Sequence, residues 1–307
     1  MVFIEETPPP RPSPLKGEGA NKAFLNNGLV FLFAFFLSCI PKPQIMDGSQ
    51  TPVVLDNLVI DRDTTWQGMI RIKGTVEVKK DAVLTLKPGT VVSFAWMDND
   101  KDGIGDSELI VKGQLIAVGS PEQLVIFTST TRAVANGWKE IRLEQAQGGE
   151  FKYCYFTFAN WALHVHFTPV SVDYCRFEFN EGGMRFNSNL MYIRHNLIQN
   201  NRIGLRFLQC DPVIEGNTIK DNLTGIFIRL GVKKPIITQN NIYQNENYNL
   251  KIGEEQAADI ACPNNYWGTT SQEIIEAKIY DKKDSGYLGR VKYQPFIGVP
   301  LGTAWSP

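Results

Sequence analysis

Between residues 150 and 254 the chain alternates apolar and polar positions in short stretches, and the stretches recur. Phe151, Val172, Ile193, Ile214 and Ile237 are spaced by 21, 21, 21 and 23 residues. Three positions on, the aligned column reads Cys154, Cys175, Asn196, Asn217, Asn240; five on, it reads Phe156, Phe177, Ile198, Ile219, Ile242. Eight on come Ala159, Asn180, Asn201, Asn222 and Asn245. Leu163, Met184, Leu205 and Ile226 align next, then Val165, Phe186, Phe207 and Ile228. Each repeat holds two or three strand-period alternations broken by Asn and Gly. No run of helical period is long enough for βαβ units or leucine-rich repeats. A coil of this size buries its apolar face only against the coils above and below it, so the pattern predicts a stacked β-solenoid. Its strands lie about 4.8 Å apart in parallel sheets. The asparagines suit left-handed turn positions, and Gly183, Gly204 and Gly225 form a further column expected at a bend.

Fainter coils extend upstream. Ile72–Val76 and Val111–Leu115 read as two copies of one coil start, and residues 53–69 read as a cap on the first coil. At the other end a short helix is expected, with Thr270 and Glu273 as a capping box and Ile274, Ile275 and Ile279 as its apolar face. Tyr266 and Trp267 cover the last coil in the simplest reading; stacking on carbohydrate is the alternative.

The segments IRHNLIQNNRIGLRF, IEGNTIKDNLTGIFI and ITQNNIYQN resemble the right-handed parallel β-helix repeats of the pectate-lyase-like superfamily. TLKPGTVVSF and LIAVGSPEQLVIFTS resemble the first coils of extracytoplasmic β-helix proteins, and Asn265-Tyr266-Trp267-Gly268 resembles their closing motif. The resemblance spans about residues 60–300. It implies an all-β fold, a right-handed single-stranded parallel β-helix (solenoid) with capping segments and a short C-terminal helix. The domain is placed at 53–300, with clear repeats at 150–254, a C-terminal cap at 261–300 and a tail at 301–307. One fold of this kind hosts many activities.

Residues 1–22 are rich in Pro and Gly and lack an apolar period; they read as an unstructured extension or a misassigned start. Lys16 and Lys22 then precede the apolar run GLVFLFAFFLSC, which is shorter than the roughly 20 residues of a transmembrane helix and has signal-peptide length. Its end, Phe36-Leu37-Ser38-Cys39, resembles a bacterial lipobox, although Phe36 departs from the usual aliphatic residue. That resemblance implies a signal peptide at 23–39, lipidation of Cys39 and a tether at 40–52. The product would be an exported lipoprotein of the cell envelope, on the periplasmic or cell-surface side, with the membrane as partner through its lipid. A plainly cleaved signal peptide or a short anchor is the alternative.

With 43% hydrophobic and 21% charged residues the composition is globular, and a formal net charge of -1 gives no global electrostatic case for nucleic acid. Apart from Cys39 the cysteines are Cys154, Cys175, Cys210 and Cys262, without a C-x-x-C pair. Cys154 and Cys175 share a column, within disulfide reach or packed as thiols.

Two features carry candidate chemistry. Asp98-Asn99-Asp100-Lys101-Asp102-Gly103-Ile104-Gly105-Asp106 interrupts the strand alternation and resembles the start of an EF-hand or thrombospondin-type calcium loop. Acids at alternate positions of a curled loop aim oxygens at one centre, and calcium takes six to eight. The expected ligands are Asp98, Asp100, Asp102, Asp106 and the Ile104 carbonyl, binding a structural calcium that pins an insertion. The twelfth position is Leu109 rather than Glu, with Glu108 one place early. The alternative is a solvated acidic loop.

The second feature is an outward column phased from the repeats: His164, Arg185, Arg206, Phe227 and Lys251, with Arg229 one step along its strand. Stacked cations repel, and Arg is suited to bidentate contact with carboxylate or phosphate. The column therefore points to a polyanion such as an acidic glycan; the alternative is a wall neutralised by acids of a neighbouring strand. His164 and His166 place two imidazoles on one strand face, which can bind a metal. No third ligand is evident, and they read as surface histidines. The acids of the repeats, Asp173, Glu178, Glu181, Asp211, Glu215 and Asp221, form no adjacent pair in one column. The leading expectation is thus non-catalytic binding of a glycan or another envelope polymer. The rivals are a polysaccharide lyase or hydrolase acting on an acidic polysaccharide, and an architectural or protein-interaction module.

Overall fold

The computed structural model describes residues 51–302. The expectations for the extension, the signal peptide with Cys39, most of the tether and the tail beyond residue 302 lie outside the described residues. The described chain winds through three parallel sheets of nine, ten and eight strands. One turn shows the plan: Gly148–Lys152 lies in the third sheet, Cys154–Thr157 in the first and Ala159–His166 in the second. Each strand pairs with the strand one coil earlier and one coil later, so the chain forms a parallel β-helix.

The sequence columns are the rungs of these sheets. Phe151 pairs with Val172, Val172 with Ile193, and Ile193 with Ile214 in the third sheet. Phe156, Phe177, Ile198, Ile219 and Ile242 follow one another in the first, and Leu163, Met184, Leu205 and Ile226 in the second. All are fully buried. Stacking at rung spacing places ring on ring: Phe127, Phe156 and Phe177 lie 4.8 and 4.5 Å apart in turn, and Phe186 and Phe207 lie 5.1 Å apart.

Five expectations are corrected. The left-handed corner residues are not the column asparagines but those just before them. Tyr153, Tyr174, His195 and Gln239 precede one column, and Phe158, Phe179, Asn200, Asp221 and Gln244 the other, all with φ between 51 and 66°. The asparagines instead turn inward and tie coil to coil. Asn217 donates through Nδ2 to the carbonyls of Ile193 and Glu215 and to Asn240 Oδ1, and its own Oδ1 accepts from Asn196. The glycine column lies inside strands and serves close approach: a Cβ on Gly204 would sit 2.5 Å from the Gly225 carbonyl oxygen. Residues 53–69 form the first coil rather than a cap, since Val53–Asp56 already pairs with the strand beginning at Met69. The two segments read as copies of one start turn different corners. Residues 72–76 pass from the first sheet to the second, and 111–115 from the second to the third. The C-terminal helix is Gln272–Ala277 with Ser271 as N-cap and no side-chain cap, so Thr270 is not its cap; Ile275 is buried, Ile274 is 56% exposed, and Ile279 adds a strand to the second sheet.

The four described cysteines are buried thiols. Cys175 Sγ accepts from the Cys154 backbone N–H at 3.4 Å, so the thiols extend the asparagine ladder by two coils. Trp267 is 2% exposed and packs edge-on against Tyr293, which is the covering role.

Candidate functional site

The exterior of the second sheet carries the expected column in register. Arg142 pairs with His164, His164 with Arg185, Arg185 with Arg206, Arg206 with Phe227, Phe227 with Lys251, and Lys251 with Tyr280. Outward side chains of a parallel ladder superpose because the strands share register without offset. The column falls into two parts that differ in how its charge is balanced.

In the first part the cations converge on Glu140, which is 3% exposed. Arg185 Nη2 donates to its Oε2 at 2.9 Å, His164 Nδ1 lies 3.0 Å from the same oxygen, and Arg142 Nε is 3.8 Å from Oε1. Burial pushes the Glu140 carboxyl up, but its bond to His164 and the charges of His164, Arg185 and Arg142 outweigh this and leave it below the usual range. The planar Arg185 head lies 5.4 Å over the ring of Trp161, whose indole fills the space a side chain on Gly182 would need.

In the second part cations alternate with rings. Arg206 lies 5.7 Å over Phe227, and Lys251 lies 5.3 Å from Phe227 and 5.2 Å from Tyr280. Glu254 takes Arg206 at 3.5 Å and also pairs with Arg229, which brings Arg229 to the same patch. Burial first, and Arg229 second, hold the Arg206 guanidinium below its ordinary pKa. Lys251 has no carboxylate partner among the described residues. The Nε atoms of Arg142, Arg185 and Arg206 are buried without a hydrogen-bond partner among the described residues.

The acidic segment lies in the connection from Val91–Phe94 to Glu108–Val111, between the first and second sheets. The carboxylates of Asp98, Asp100 and Asp102 come within 4.8 Å of one another. Asp98 Oδ1 is buried without a hydrogen-bond partner among the described residues, and Lys101 and Gly103 turn the loop with positive φ. Asp106 is not among the three: its Oδ2 accepts from the backbone and side-chain nitrogens of Asn99. The Ile104 N–H donates to Asp102 Oδ1. The insertion docks on its counterpart one coil on, because Arg132 lies 4.0 Å over Trp96 and donates to the Gly103 carbonyl. Oxygens of this kind suit a hard cation.

The sequence reading missed Glu140, Glu254, Arg142, Trp161 and Tyr280. Glu140 precedes the clear repeats, and a register shift between Glu140 and Ile141 breaks the phase that would have extended the column to it. Tyr280 lies beyond the helix, where the period is lost.

This geometry sits on a fold that comparison also identifies: residues 126–264 match the family model for a right handed beta helix region. The protein is a right-handed parallel β-helix repeat protein. No curated protein and no solved structure matches the chain.

Proposed function

We propose that the exterior of the second sheet binds an acidic glycan or another anionic envelope polymer without catalysis. The observation that carries this reading is the column Arg206, Phe227, Lys251, Tyr280, in which cations and rings alternate at one position per coil, with Arg185 next to Arg206 at its end. A linear polyanion laid along the solenoid meets a repeated contact, with carboxylates on Arg and Lys and sugar faces on the rings. His164 and Arg229 flank the strip. Glu140 and Glu254 offset part of the charge and fix the guanidinium planes, so they also limit affinity for simple anions. Hydrolysis of a glycoside needs two cooperating carboxylates. On this face Glu140 is buried under Arg142, Arg185 and the His164 ring, and Glu254 is held by two arginines, which favours binding over cleavage.

In the same reading the Asp98, Asp100 and Asp102 carboxylates, with the Ile104 carbonyl, hold a structural calcium ion, and Asp106 shapes the loop through Asn99. Export and lipidation at Cys39 place the solenoid on an envelope membrane. A glycan array probed in calcium and again in EDTA tests the function. Selective capture of acidic glycans, lost in Arg206→Gln and Lys251→Gln, is the expected result. A blank array from folded protein, or release of cleaved product from a bound polymer, overturns the reading.

A further inference from the structure

His164 and His166 stand two residues apart on the exterior of Ala159–His166, with ring centroids 4.2 Å apart. The same nitrogen of each ring is engaged. His164 Nδ1 lies 3.0 Å from the Glu140 carboxylate, and His166 Nδ1 lies 2.9 Å from the Asn187 amide oxygen. Both partners are acceptors, which assigns the proton to Nδ1 and leaves the Nε2 lone pair free. Arg185 Nη2 also lies 2.9 Å from His164 Nδ1, but it donates to the same Glu140 oxygen, and the ionised carboxylate is the stronger acceptor for both donors. Among the described residues no protein group bonds to either Nε2.

A histidine whose Nδ1 proton is held by a carboxylate or amide oxygen is the usual form of a metal-ligating histidine, because that bond fixes both tautomer and ring orientation. Here it occurs twice, on touching rings, with acceptors supplied from opposite sides: Glu140 from the preceding strand and Asn187 from the following one. A candidate third ligand that the sequence did not reveal is in register. Glu144 is the partner of His166 on the preceding strand, its side chain is 45% exposed, and its ion pair with Arg142 is long, at 3.9 Å. Its carboxylate and the two imidazoles do not all lie within 4.8 Å of one another, so it joins a shared ion by turning from Arg142 toward the rings.

We infer that His164 and His166 bind a divalent late transition-metal ion of the zinc or copper class through Nε2, with Glu144 as third ligand. Imidazole and carboxylate together suit these ions and not calcium. Glu140 and Asn187 are positioning residues. Glu140 also offsets Arg142 and Arg185, the cations that would otherwise oppose a metal here. The site is independent of the proposed polymer strip except at His164 and Glu140, so the decisive variants are His166→Phe, Glu144→Gln and Asn187→Ala.

The test is calorimetric titration of the full chain, stripped with EDTA, with zinc sulfate and with copper sulfate. The same titration on an Asp98→Asn/Asp100→Asn variant removes the acidic loop as a competing site. One equivalent is expected in that variant. Asn187→Ala is expected to weaken the affinity about 10- to 100-fold, His166→Phe by at least that much, and Glu144→Gln in the same direction, with circular dichroism unchanged. Imidazole nitrogen spectra are expected to shift at Nε2 of both rings when zinc is added. Folded chain that takes up neither metal, or His166→Phe and Glu144→Gln that bind as tightly as the parent, overturns the assignment.

Discussion

The Arg185 guanidinium and the Glu140 carboxylate, 45 residues apart in sequence and two coils apart in space, meet at 2.9 Å on the exterior of the second sheet. Glu140 is 3% exposed, so removing its partner leaves a carboxylate short of a charge it relied on for burial. Arg185→Met is expected to lower stability by about 1–3 kcal/mol, below the range for fully buried pairs because the Arg side chain is partly solvated. Glu140→Gln combined with Arg185→Met is expected to recover most of that loss. Urea midpoints of these two variants and of Glu140→Gln alone check it; a double variant no more stable than Arg185→Met contradicts it.

The asparagine ladder carries stability of a different kind. Asn217 is fully buried and holds carbonyls and amides of three coils together. Asn217→Ala strands several backbone groups at once, each costing about 1–3 kcal/mol when left unsatisfied. The expected loss is about 2–4 kcal/mol after relaxation. Thermal and urea denaturation against the parent measure it.

The corners make the opposite prediction. Phe179 holds a left-handed φ of 59° at a corner where later coils place Asn200 and Asp221, and its side chain is 47% exposed. Left-handed backbone costs an ordinary residue roughly 1–2 kcal/mol, and Asn less. The ring contact with Phe158, at 6.3 Å, returns only part of that. Phe179→Asn is expected to keep stability or raise it by up to about 1 kcal/mol. A loss larger than that would show that the Phe158–Phe179 stack outweighs the strain.

Much of the fold was legible in the sequence because a parallel ladder superposes equivalent residues without offset. A period of 21 residues therefore maps directly onto rungs, and the columns starting at Phe151, Phe156 and Leu163 all appear as neighbours. The Arg185–Arg206 column was legible for the same reason. What was hidden lies where the period breaks. Glu140 sits behind a bulge, and Glu254 reaches Arg206 from beyond its strand. The identity of the left-handed residues was misread because Asn commonly takes that conformation, whereas here its amide was needed inside the coil. Nothing in the spacing distinguished Asp106, bound to Asn99, from the three acids that converge.

Burial governs the thiols. It pushes Cys210, which is 2% exposed, from an ordinary value of 9.0 to about 12, with Asp211 as the second cause. A raised pKa means that the protonated thiol contributes stability fully present below pH 9.0, and lost as pH rises from there toward 12. Cys210→Ala is expected to flatten the alkaline limb of the stability profile over that window. Iodoacetamide at pH 8 is expected to leave Cys154, Cys210 and Cys262 unmodified in folded protein and to label all three in urea. Peptide mass spectrometry reads both states.

The central claim is that the second-sheet exterior is an anion-binding strip built around its alternating cations and rings. The most direct measurement is the affinity of the purified protein for a polyuronate of defined length, compared with a neutral glucan of the same length, with Lys251→Glu as the variant. Lys251 has no ion-pair partner among the described residues and is partly solvated, so its reversal tests the strip without disturbing a buried pair. The account predicts that the parent binds the polyuronate more tightly than the glucan, more weakly as salt rises, and that Lys251→Glu loses at least tenfold in affinity for the polyuronate alone. Equal affinity for the two polymers, or a Lys251→Glu protein that binds the polyuronate as the parent does, contradicts it.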